Sequence, residues 1–256
     1  MQFHLWSPLH YFMMIGPFLF TVLLYFIYRN KDKKSQRKIG LILSLIAVGL
    51  LIARNIEIFV THNYVFDYEL VPLQICHFAN FVLLYAFYKK SDTAFGLAFL
   101  FNLPLAFLSL LFADGLENYS TIINFRGQAY IWGHMLIVII TLYAYVVGFF
   151  KINIKNYFQV AFITTILYTL SVVVNNLFRI FLGENSNYFY ADRPESGTPL
   201  DFFYNLGQIT YIGDFQVNFT FIISLLFVGY IVIFIVYALA FELPKFLSYR
   251  LKRQNS

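Results

Sequence analysis

The chain carries one cysteine, Cys76, and five histidines. A thiol becomes an effective nucleophile when a base or a cation lies beside it, so the first question is which histidine can serve Cys76. His77 is adjacent in sequence and on a helix points about 100° away, a poor geometric partner. His134 stands on another segment at similar depth and can face the sulfur directly. Taken alone, a lone buried cysteine is most often an inert small hydrophobe. Other costly residues gather near it in the sequence pattern: Arg54 with Glu57, then Gln74, His77 and Asn80 around Cys76, then Asn175 and Arg179. An ionisable group inside an apolar span marks a functional site by default. On residue types alone the set points to a shared pocket and leaves a Cys–His dyad open. Arg54 and Glu57, three apart on one helix face, read most simply as an internal ion pair. No metal or other cofactor is expected, because Cys76, His77 and His134 lack a fourth partner and the short ligand spacings are missing.

The elements that must position these residues follow from composition. The chain has 256 residues, 60% hydrophobic and only 12% charged, with a mean hydropathy of +0.67. A soluble chain is about a quarter charged, so most soluble enzyme folds, disordered chains and disulfide scaffolds are excluded. Seven apolar runs are long enough to span a bilayer: 11–28, 39–60, 70–88, 93–113, 131–150, 157–182 and 217–241. Period-two alternation is absent, which excludes barrel strands. The expectation is an all-α polytopic membrane protein, a seven-helix transmembrane bundle forming a single domain over 1–256. Pro17 is expected to bend the first span, and Pro104 beside Asn102 to kink the fourth.

Every basic residue except Arg54, Arg126, Arg179 and Arg193 falls on one side of this layout, and acidic residues dominate the other. The positive-inside rule then predicts the N-terminus outside and the C-terminus in the cytoplasm of a cell-membrane protein. The same clusters sit at membrane edges, where anionic lipid explains them without nucleic acid. The long outer loops are 114–130 and 183–216. In this layout Arg54, Glu57, Gln74, Cys76, His77, Asn80, His134, Asn175 and Arg179 lie in the outer half, pointing to one shared pocket. A non-enzymatic substrate-binding or transport protein is the alternative. The apolar inner halves of the spans argue against a path across the membrane. A scaffold protein with inert Cys76 and His134 is a further alternative. A retinal-type receptor is excluded, since no lysine lies inside a span. Oligomeric state is not legible.

Two motifs go further. Leu70-Val71-Pro72-Leu73-Gln74-Ile75-Cys76 resembles the LPLHLC signature of the YwaF-like integral membrane proteins. Asn187-Tyr188-Phe189-Tyr190, Arg193-Pro194 and Gly197-Thr198-Pro199-Leu200-Asp201-Phe202 resemble that family's outer loop, and His134 matches the position of its histidine. The chain departs from the family at Gly207–Tyr211 and at Gln74, where a histidine is common. Relatives of the transmembrane protein 164 type are phospholipid acyltransferases, so the resemblance implies a Cys76 thioester with His134 as base. Phospholipids and lysolipids would be its partners. By the same reading Arg54, Asn80 or Asn175 would meet the oxyanion, Arg179 and Arg193 a lipid phosphate, and Asp201 would order the loop.

Overall fold

The computed structural model describes residues 2–113, 116, 119, 121–194 and 198–242. Asp114, Glu117, Glu195 and Gly197 of the outer loops, and the basic tail with Lys245, Arg250, Lys252 and Arg253, lie outside the described residues. Seven helical segments are long and apolar enough to cross a membrane. The chain divides into two compact units, residues 1–70 with 76–152 and residues 71–75 with 153–256.

In the first unit, α1 (Pro8–Tyr28) starts with Pro8 at a first-turn position, where its missing N–H is no loss, and with the Ser7 side chain accepting from His10 N. The helix runs on through Pro17. Helix α2 (Lys33–Thr61) is capped by Asp32, which accepts from Ser35 N. The Ser35 hydrogen bonds hold the Asp32 carboxyl below its usual range. Helix α3 (Ile75–Lys89) begins later than the apolar run suggests. Pro72 disfavours helical geometry at the residue before it, so the chain makes a short 3-10 turn at Tyr68–Leu70 and enters the helix only at Ile75.

The fourth span consists of α4 (Asp92–Leu97), a π turn (Ala98–Asn102) and α5 (Leu103–Phe112). Pro104 cannot donate to the carbonyl four residues back. The helix absorbs the deficit by widening, with Leu103 N reaching Ala98 O. Helix α6 (Phe125–Val146) is capped by the Asn124 side chain on Gly127 N and therefore starts six residues before the expected 131. It packs against α1, α2 and α5. Met135, Ile137, Val138 and Ile140 on it are wholly buried, which suits a helix apolar on every side.

Two basic residues of the first connection have a role that charge counting missed. Lys33 donates to the Val147 and Gly148 carbonyls, at 2.5 and 3.3 Å. Arg37 donates to the Phe87 and Tyr88 carbonyls, at 2.8 and 2.7 Å. They satisfy the last carbonyls of α6 and α3.

In the second unit, α7 (Ile154–Leu182) opens with a reciprocal Asn153–Asn156 capping box and stops at Gly183 in the left-handed region (φ 67). It packs on α9 (Phe219–Tyr237), which is capped by Asn218. Between them lie the short α8 (Leu200–Asn205) and an antiparallel hairpin, β1 (Thr210–Ile212) with β2 (Phe215–Val217), turned at Gly213 (φ 61). The hairpin is an addition to the all-helical expectation; a three-residue pair is too short to show in periodicity.

Candidate functional site

The site forms because one stretch of backbone leaves the helical pattern beside α2. The 3-10 turn before α3 exposes carbonyls that a membrane protein must satisfy internally. Arg54 donates to the Glu69 carbonyl at 2.9 Å, and Asn55 donates to the Leu70 carbonyl at 2.8 Å. Arg54 also meets the Glu69 carboxylate at 2.8 Å, and Arg126 of α6 meets the same carboxylate at 2.9 and 2.8 Å. One acid thus ties two arginines, and the Tyr119 ring lies 5.3 Å from the Arg126 guanidinium.

The expected Arg54–Glu57 ion pair does not form. Glu57 instead accepts from Arg126 N at 2.7 Å, in the first turn of α6. Free amides and the positive end of the helix dipole favour a carboxylate there, while Arg54 is drawn to the Glu69 backbone and side chain together.

Below this clamp a cavity of about 60 Å³ is lined by Arg54, Cys76, His77, Asn80, Tyr130 and His134, with Tyr119 and Arg126 beside them. Ala47, Leu51, Ala129 and Gly133 form its apolar wall. A space of this size admits a few waters. Cys76 sits in the first turn of α3, not 9 Å down a helix begun at Leu70. The first-turn N–H groups have no acceptor within the helix. His134 comes from the tenth position of α6 and lines the same cavity as Cys76. Its Nδ1 lies 2.6 Å from the Tyr130 carbonyl. A carbonyl only accepts, so Nδ1 carries the proton and Nε2 is left with a lone pair for the thiol. Tyr130 is itself fixed, its hydroxyl donating to the Ser109 carbonyl at 2.9 Å. The arrangement is a thiol, a base of set tautomer and a backbone group orienting that base.

Of the predicted site residues, Arg54, Cys76, His77, Asn80 and His134 meet in this cavity. Gln74 precedes α3 and belongs to the second unit. Asn175, Arg179, Arg193 and Asp201 also belong to the second unit, where the first three organise the loop after α7. Asn175 accepts from the Ser186 hydroxyl and Tyr188 N and donates to the Tyr188 carbonyl. Arg179 and Arg193 both pair with Asp192, at 3.4 and 3.1 Å. Arg179 also donates to the Asn176 side chain. Asp201 lies in the first turn of α8. Sequence reasoning missed Glu69, Arg126, Tyr119 and Gly133. The Asn124–Gly127 cap was the available sign that α6 begins early enough to carry Arg126 into the site. Among the described residues no cluster of three metal-ligating side chains occurs.

Comparison with curated proteins and with solved structures returns no match. The TMEM164 family model matches residues 5–237. With seven spans, and a match over nearly its whole length, this integral membrane protein belongs to the TMEM164 family.

Proposed function

We propose that the chain is a membrane-embedded acyltransferase that moves fatty acyl groups between phospholipids through a thioester on Cys76. The observation that carries this reading is that Cys76 and His134 line one cavity, with His134 Nδ1 held by the Tyr130 carbonyl. In the first half, the Cys76 sulfur attacks the ester carbonyl carbon and His134 Nε2 takes the thiol proton. Breaking the carbon–oxygen bond releases a lysolipid, whose oxygen receives that proton. In the second half, His134 takes the proton of an acceptor hydroxyl. Its oxygen forms the new ester bond, the carbon–sulfur bond breaks and the proton returns to sulfur. The first-turn N–H groups of α3 and the Arg54 guanidinium suit the oxyanion.

The reading places the N-terminus outside, the C-terminus in the cytoplasm and the cavity in the outer leaflet of the cell membrane, on the charge asymmetry of the loops. The motifs around Cys76 and Asn187 support a YwaF-like subgroup. Because Cys76 is the sole cysteine, any thiol reagent is site-specific, which makes the test direct. Purified protein in vesicles is treated with a lipid-like electrophile, and acyl exchange between labelled phospholipid and lysolipid is followed. Exchange is expected to fall in proportion to the fraction of Cys76 modified. Full exchange at complete modification overturns the proposal. A substrate-binding or transport protein would show no exchange before treatment.

A further inference from the structure

The glycines of the first unit differ in what a methyl group would meet. At Gly40 it would overlap the Phe87 ring at 2.1 Å, and at Gly127 the Ile122 backbone at 2.6 Å. Those glycines permit close approach. Gly133 is buried on α6, yet a methyl there would meet nothing within 4 Å. It lies inside a helix, where alanine is the better former, and no left-handed backbone demands it. The empty space beside it is the cavity that holds Cys76 and His134. Two polar atoms on the lining point the same way. Asn80 is 4% exposed, and its Oδ1, like His77 Nδ1, is buried with no hydrogen-bond partner among the described residues. Buried polar atoms left open in this way call for a ligand with polar groups of its own.

We infer that Gly133 keeps open a subsite for the acceptor hydroxyl, with His77 Nδ1 as a donor holding the hydroxyl oxygen while its proton is left for His134, and that its bare Cα determines which alcohols can be acylated. The inference rests on the acyl-transfer reading above. A lysolipid hydroxyl carries its glycerol with it and needs the space; methanol does not. Filling the space therefore discriminates between acceptors of one chemistry and different bulk, and a single added carbon in a fitted pocket is worth about tenfold or more.

The test uses the full chain in phosphatidylcholine vesicles containing lysophosphatidylcholine, with methanol as a competing acceptor. Gly133→Ala is expected to lose about tenfold in transfer to the lysolipid while methyl ester formation falls much less. It should melt no lower than wild type. Gly49→Ala is the control: Gly49 is exposed on α2 with open space around it, and both products should be unchanged. Wild-type transfer by Gly133→Ala, or equal loss of both products, overturns the subsite. No Cys76-dependent product of either kind from the wild type would instead defeat the acyl-transfer reading, and the subsite with it.

Discussion

Cys76→Ala protein is expected to lose acyl exchange entirely, and His134→Asn protein to lose about 10²- to 10⁴-fold, the usual worth of a positioned general base. The two losses have different origins. Without the sulfur there is no acceptor for the acyl group. Without the imidazole the sulfur remains, but the Nε2 lone pair set by the Tyr130 carbonyl is gone. Raising the pH should therefore recover part of the His134→Asn activity, by supplying thiolate from solution, and none of the Cys76→Ala activity. Exchange rates in vesicles across a pH series check both statements. Equal and pH-independent losses would mean that His134 only supports the fold.

The second large effect concerns stability. Glu69→Ala removes the carboxylate shared by Arg54 and Arg126. The Arg54 side chain is only 9% exposed, so it is left as an uncompensated buried charge. Breaking a buried pair on one side costs about 3–5 kcal/mol, and thermal unfolding in detergent should show a large fall in midpoint. Adding Arg54→Met should restore part of it, because the charge that lost its partner is then gone. The midpoint of Glu69→Ala staying at the wild-type value would show that the clamp carries no weight. The same variant should raise the reactivity of Cys76 toward water-soluble thiol reagents, since the two arginines that Glu69 holds line its cavity.

Much of this molecule was legible beforehand because lipid leaves few options. Seven spans followed from apolar runs alone, whereas residue chemistry left the Cys76–His134 pair open and only the resemblance implied it. The errors fell where local backbone chemistry overrode hydropathy. Leu70–Gln74 is apolar enough to extend a helix, but Pro72 delays the start to Ile75 and moves Cys76 into the first turn. Asn124 starts α6 ahead of its apolar stretch and brings Arg126 into the site. Hydropathy carries no record of either cap. The Arg54–Glu57 expectation failed for a related reason. Helical spacing says which side chains can meet, whereas the unsatisfied carbonyls of Glu69 and Leu70 decided where Arg54 and Asn55 went. Asn175 and Arg179 lay at the right positions for a pocket, yet their hydrogen bonds go to the loop after α7. Partner choice is tertiary information that residue type and depth do not contain.

The central claim is that Cys76 carries the acyl group. It is tested most directly by incubating the protein with a phospholipid of defined acyl chains, without acceptor, then quenching in acid and measuring the mass of the peptide containing Cys76. The account predicts an adduct of one acyl group on that peptide. The adduct should be released by neutral hydroxylamine, discharged by added lysolipid, and much reduced in His134→Asn protein. An unmodified Cys76 peptide from protein that is exchanging acyl chains at full rate would contradict it.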